Sequence, residues 1–397
     1  MSVPATTDGT LVERETLPRS LGRWLKALCR TLPRDATDAV PASNEECPSS
    51  AYPSRREPVY FVSAEGGGIR AAAWTAMVLA ELQRQDAAFL ARTYSISAVS
   101  GGAIGASVFR ACHDDHSRTP DACLLAWART DHLSPLLSAW LFEDMLAWAM
   151  PVRQVGCERT GCGFLSRALW FEQSMIAAVP GLGQPLARGI QADHFPHLFL
   201  NATFVETGER SIASDVRIRS RDFPNAKDQL DANADSSGSH ADLPLSLMSA
   251  AHNASRFPYT NPIGSLYDDA TVRDGRLLGH LADGGYFDNS GAQTTVDIVA
   301  ALGACLDPVH SRNRRRARQA DTATGTAVDP TRERPGRGAP DATMDAPEEA
   351  PTDLDDCGLS DHDRRWLHAH LDPQVLFIRL GPRLAAKARQ SGSLQSP

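Results

Sequence analysis

The chain lacks a long uncharged apolar run. A helix that spans a bilayer needs about 20 apolar residues with few or no charges. The longest apolar stretch here, Leu133 to Met150, is broken by Glu143 and Asp144, and reads as a core or lid helix. The first residues, MSVPATTDGTLVERETLPR, lack the apolar segment of a secretory signal. A basic excess is missing too. With 40 Lys and Arg against 48 Asp and Glu the net charge is −8, so no nucleic-acid partner is expected. Cys157 and Cys162 lie close together, but no second cysteine pair at metal-ligand spacing accompanies them. No metal site is expected, and the eight cysteines read as reduced thiols rather than a disulfide framework. A cytoplasmic protein is the resulting expectation.

What is present is ordinary globular material: 397 residues, 42% hydrophobic and 22% charged. That is enough for a full core in one large domain or two small ones. Residues 1–57 read as a largely irregular N-terminal extension. Within it Leu21, Trp24, Leu25 and Leu28 recur at helical spacing among Arg23, Lys26 and Arg30. This short amphipathic helix could either pack inward or lie on a membrane surface.

Organised structure begins at Pro58. Val59–Ala64 reads as a buried strand running into Glu65-Gly66-Gly67-Gly68, followed by a helical pattern from Ile69 to Leu90. A second strand, Tyr94–Val99, runs into Ser100-Gly101-Gly102 and a small-residue helix through Cys112. Strand, glycine loop, helix, strand, tight turn and helix is the cadence of a parallel α/β sheet. Further strands are expected at 198–206 and 211–218 around the turn Thr207-Gly208-Glu209, at 280–283 and at 375–380. Further helices are expected at 243–255 and 291–302. Residues 58–305 form the core in this reading. Residues 306–360, rich in Arg, Pro, Asp, Thr and Glu, are a disordered insertion, and residues 361–397 supply a last core strand and a tail.

Three motifs carry chemistry. Ala98-Val99-Ser100-Gly101-Gly102 places a serine on a strand-to-helix turn, its hydroxyl exposed near the positive end of the following helix. Alone, it fits a nucleophile or a simple glycine-rich turn. Gly66, Gly67 and Gly68 leave backbone N–H groups open to a negative oxygen. No Gly-Lys-Ser/Thr follows and the spacing is not G-x-G-x-x-G, so an oxyanion hole is preferred to a nucleotide site. Arg70 is expected to brace this loop or to attract an anionic head group, with bracing preferred. Asp283-Gly284-Gly285 closes the strand at 280–283; by itself Asp283 could be a base or a turn cap.

In this order the motifs resemble the patatin-like phospholipase family. The first motif there is D-G-G-G-x-R, the second G-x-S-x-G and the third D-G-G/A. Asn201-Ala202-Thr203, Glu206-Thr207-Gly208-Glu209 and Ala254-Ser255-Arg256-Phe257-Pro258 extend the likeness, while Glu65 and Ala98 depart from it. The resemblance covers about residues 58–305 and the strand at 375–380. It implies a three-layer α/β/α fold with a central, mostly parallel sheet and a serine elbow. It implies a Ser100–Asp283 dyad without histidine, an oxyanion hole from Gly66, Gly67, Gly68 and Gly101, and support from Arg70, Gly102, Gly284 and Gly285. The implied substrate is a phospholipid or other lipid ester, cleaved through an acyl-enzyme without cofactor or metal, with peripheral membrane contact left open. The tryptophan-bearing stretch 124–180 would then line an acyl pocket, or else simply pack the core. Two other readings remain. One is a catalytically silent lipid- or partner-binding scaffold. The other is a Ser-His-Asp esterase using His310, His362, His368 or His370.

Overall fold

The computed structural model describes residues 14–31, 47, 56–144, 167–187, 195–231, 245–258, 260–267, 277–307 and 357–380. Most of the expected insertion, Cys157, Cys162, Trp148, His310 and the end of the 133–150 stretch lie outside them.

The chain divides into two compact units. The larger holds residues 57–299 with 1–17 and 371–397; the smaller holds 18–56 with 300–370. The larger unit is built on eight strands: β1 Glu57–Ala64, β2 Thr93–Val99, β3 His197–Phe204, β4 Arg210–Ser214, β5 Ala226–Asp228, β6 Gly264–Tyr267, β7 Leu277–Asp283 and β8 Leu371–Ile378. They form one sheet in the order β5-β4-β3-β2-β1-β8, with β7 paired to β3 and β6 paired to β7. Strands β3, β2, β1 and β8 run parallel, whereas β4 and β7 lie antiparallel to β3. The sheet is therefore mixed but mostly parallel through its centre, and helices flank it.

Local chemistry explains these elements. All seven residues of β2 are buried, as expected of an inner strand covered on both faces. Helices Gly68–Gln85 and Gly101–His113 follow β1 and β2 directly, and both are rich in alanine and glycine, which lets helix and sheet backbones approach closely. Val62, Ala64, Ile96, Ala98, Leu198 and Leu200 supply the sheet side of the core and Ala72, Leu79, Ala103 and Phe109 the helix side. Thr207-Gly208-Glu209 turns β3 into β4 as expected. The last strand differs from expectation. It begins at Leu371, pairs among the described residues with β1 alone, at the sheet edge, and leaves Val375 and Phe377 exposed, so its apolar side chains reflect edge pairing rather than a central place. Strand β6, short and opened by a glycine, has no distinctive alternation and went unread.

The smaller unit contains helix Leu17–Thr31 and helix Asp361–His370. Leu21, Leu25 and Leu28 are buried, so the amphipathic helix packs inward and its apolar face is not offered to a membrane. Gly22 lies directly against the Cys357 carbonyl. Disulfides Cys29–Cys47 and Cys305–Cys357 bind this unit, and Cys112–Cys123 staples the larger one. The expectation of reduced thiols is thereby corrected: six cysteines that looked scattered in sequence meet in pairs in space. Among the described residues no helix is long and apolar enough to cross a membrane.

Candidate active site

Ser100 ends β2 and opens helix Gly101–His113 with φ 50° and ψ −126°. A non-glycine residue rarely adopts positive φ, and the strained turn lifts the side chain out of the sheet. The turn is held by its own amide, which donates to the Ala254 carbonyl at 3.0 Å. Gly101 and Gly102 are glycines for a steric reason. A Cβ on Gly101 would overlap the Gly68 carbonyl, and one on Gly102 would stand 2.7 Å from the carbonyls of Ala64 and Glu65. The elbow is thus pressed against the glycine loop.

Asp283 ends β7, which pairs antiparallel with β3. Its amide donates to the Arg256 carbonyl at 3.0 Å, and its own carbonyl accepts from Thr203 Oγ1 at 3.0 Å. The side chain is fixed at both oxygens: Oδ2 accepts from Ser100 Oγ at 2.6 Å, and Oδ1 accepts from the Gly285 amide at 2.8 Å. Only 4% of the residue is exposed. Burial pushes its pKa above the ordinary value, against the opposing hydrogen bonds from Ser100 and Gly285. Asp283 therefore caps a turn with one oxygen and faces the serine with the other. Gly284 packs against the Asn201 carbonyl, and its amide shares the Ala254 acceptor with Ser100.

In the glycine loop the expected donors divide. The Gly66 amide is consumed by the Asn289 carbonyl at 2.9 Å. Gly67 and Gly68, both with positive φ, and Gly101 make no backbone hydrogen bond through their amides among the described residues. Three N–H groups, not four, are thus open at the serine. Arg70 is exposed and forms no hydrogen bond or ion pair among the described residues, so it does not brace the loop. Glu65 N–H to the Ile378 carbonyl and Gly66 N–H to Asn289 do so instead.

These groups meet at one cavity of about 800 Å³, lined by Gly67, Gly68, Ser100, Gly101, Asp283 and Asn289 at its polar end. Ile104, Leu133, Leu136, Phe171 and Phe257 make its walls largely apolar. Within the described part of the 124–180 stretch the residues divide between cavity and core. Leu133, Leu136 and Phe171 line the cavity, whereas Trp127 is buried in the core.

No histidine among the described residues hydrogen-bonds to Ser100 or Asp283. His132 reaches the cavity wall, but its ring nitrogens face Ser174 Oγ and the Trp127 carbonyl, each at 3.3 Å. His280 pairs with Glu206 at 2.6 Å. His362, His368 and His370 belong to the smaller unit. Nor does any cluster of His, Cys, Asp and Glu among the described residues suit a metal ion.

Sequence reading missed Asn289 and the cluster beneath the Ala254 carbonyl. In that cluster His252 Nδ1 lies 2.7 Å from Glu172 Oε1, Ser249 Oγ donates to Glu172 Oε2 at 2.8 Å, and Arg256 Nη2 sits 3.7 Å from Glu172 Oε1. The only sequence signal was the stretch Ala254–Pro258 itself.

Comparison with known proteins gives a family match. The patatin-like phospholipase family matches residues 62–296. No curated protein matches. Among solved structures, human GIVD cytosolic phospholipase A2, in complex with methyl gamma-linolenyl fluorophosphonate inhibitor and terbium chloride, is 15% identical with a TM-score of 0.36, covering 70% of this chain and 42% of that one. VipD from Legionella pneumophila is 12% identical with a TM-score of 0.24, covering 66% and 52%. The chain thus spans about half the length of these neighbours or less. The family match takes in more than half of the chain, including Ser100 and Asp283, and the chain belongs to the patatin-like phospholipase family.

Proposed function

We propose that this protein hydrolyses carboxylic esters of lipids through a Ser100–Asp283 dyad. The observation that carries the reading is the 2.6 Å hydrogen bond from Ser100 Oγ to Asp283 Oδ2 at the polar end of an apolar cavity. A hydroxyl becomes a competent nucleophile when a positioned base can take its proton. Asp283 Oδ2 takes the proton as Oγ attacks the acyl carbonyl carbon. The negative oxygen of the tetrahedral intermediate receives hydrogen bonds from the amides of Gly67, Gly68 and Gly101 and gains from the positive end of helix Gly101–His113. Collapse breaks the ester C–O bond, and protonated Asp283 returns its proton to the leaving alkoxide. Water then attacks the acyl-enzyme, losing a proton to Asp283, and fatty acid and free serine are restored.

The apolar walls suit an acyl chain, and exposed Ile69, Leu133, Phe257 and Tyr286 at the mouth suit peripheral contact with a lipid surface. No cofactor or metal is needed for these steps. A scaffold that only binds lipid would not require a nucleophile, a base and open amides together.

Fatty-acid release from mixed phospholipid vesicles tests the reading. Ser100→Ala should abolish release, and Asp283→Asn should lower it by about 10²–10⁴-fold. A fluorophosphonate probe should label wild type and not Ser100→Ala. Equal release by wild type and Ser100→Ala would refute the dyad.

A further inference from the structure

Two glycines from separate motifs make room for one side chain. A Cβ on Gly66 would overlap the Asn289 side-chain amide and stand 3.0 Å from Ser100 Cβ. A Cβ on Gly285 would stand 3.0 Å from Asn289 Oδ1 and 3.0 Å from Asp283 Oδ1. The Asn289 amide thus sits between the glycine loop and the Asp-Gly-Gly turn, next to both members of the dyad, and lines the cavity. Its backbone is held firmly. The carbonyl accepts the Gly66 amide, Asp288 Oδ1 takes the Ser290 amide at 2.9 Å, and Asp288 Oδ2 takes the Gln293 amide at 3.0 Å. The neighbouring carbonyls of Ser290 and Gly291 accept from Ser63 Oγ and Ser97 Oγ, which tie the segment to β1 and β2. Yet the side chain is exposed and makes no hydrogen bond of its own among the described residues. A rigidly mounted, unengaged amide beside a nucleophile is a group arranged for something that arrives later.

We infer that Asn289 contacts the substrate and donates from Nδ2 to the developing oxyanion, in place of the Gly66 amide that its own backbone carbonyl has taken. The inference rests on the dyad reading. The side-chain amide carries two N–H donors and can present them by a half-turn about its last torsion. A neutral donor suits this place, because a cation so near Asp283 would hold the base ionised and weaken it as a proton acceptor. Gly66 and Gly285 lack side chains, on this account, so that the amide can reach the reacting carbonyl.

The test uses the full chain and a soluble monomeric ester, p-nitrophenyl butyrate, so that vesicle binding does not enter. Asn289→Ala should lower kcat by about 10²–10³-fold, the usual loss for one oxyanion donor, with KM changed only a few-fold. Fluorophosphonate labelling of Ser100 should slow in parallel, since the phosphonyl oxygen occupies the same place. The thermal midpoint and the acid limb of the pH profile should stay where they are in wild type. Asn289→Asp, equal in shape but without a donor, should fall at least as far. Retention of kcat within about threefold in Asn289→Ala overturns the inference, as does a loss confined to Asn289→Asp. An acid limb that moves in Asn289→Ala also overturns it, because the residue would then act through Asp283. If truncation lowers the folded fraction, rates per fluorophosphonate-labelled Ser100 in Asn289→Ala decide the matter. Failure of the dyad reading looks different: wild type and Ser100→Ala would then turn over the ester equally.

Discussion

A base that is almost wholly buried trades hydration for reach. Asp283 must be ionised to accept the Ser100 proton, and burial disfavours that form. Its pKa is raised, so protonation disables it at a higher pH than for a free aspartate. The acid limb of kcat/KM should therefore lie above the ordinary aspartate value of about 3.9, and a limb at or below that value would contradict the assignment. The same shift fixes the sign for stability. The folded state favours protonated Asp283, so this group's contribution is fully present at low pH and is lost as pH rises through the folded pKa. Asp283→Asn, though strongly impaired in turnover, should hence melt at or above the wild-type temperature at pH 8, as measured by calorimetry. The strand-end placement of Ser100 and Asp283 was legible in sequence because each stands before glycines, where short-range pattern is enough. Asn289 was not. Its role depends on two glycines more than 200 residues apart in the chain, and nothing within its own neighbourhood announces them.

At the level of elements, the dyad is joined by a third piece of chain. The Ala254 carbonyl accepts the amides of both Ser100 and Gly284, and the Arg256 carbonyl accepts that of Asp283. Ser100 and Asp283 are thus registered against residues 254–256 and not only against each other. That segment follows helix Leu247–Asn253, all of it buried and capped by Ser246, and is anchored by Glu172 from helix Arg167–Ala178. Burial raises the Glu172 pKa, but the hydrogen bond from His252, the charge of Arg256 and the hydrogen bond from Ser249 outweigh it and hold the carboxylate below its ordinary value. Burial keeps His252 below its ordinary pKa. Neutralising the carboxylate leaves Arg256 buried without its counter-charge, which typically costs about 3–5 kcal/mol. Glu172→Gln should lower the urea midpoint accordingly and slow fluorophosphonate labelling of the folded fraction. Unchanged labelling would mean that the cluster supports the fold without positioning the dyad. Parallel strands, the serine turn and the β3–β4 hairpin were readable because period and turn residues specify them locally. The brace was not, since backbone carbonyls carry it and any residue type supplies a carbonyl.

For the whole molecule, cysteine spacing was the poorest guide. Cys305 and Cys357 are 52 residues apart and Cys29 and Cys47 are 18 apart, separations that carry no motif, yet each pair closes a loop in the smaller unit. Closing loops of this length restricts the unfolded chain by roughly 3–4 kcal/mol each in the chain-entropy treatment. Disulfides persist where the surroundings oxidise thiols and are rare where glutathione keeps them reduced. The cytoplasmic expectation rested on the missing secretory signal and on reduced thiols; paired cysteines would instead call for an oxidising compartment. Thiol titration of the denatured, unreduced protein decides between them. At most two groups, Cys157 and Cys162, should react in protein isolated with its native redox state trapped by alkylation, whereas a cytoplasmic protein would titrate all eight cysteines.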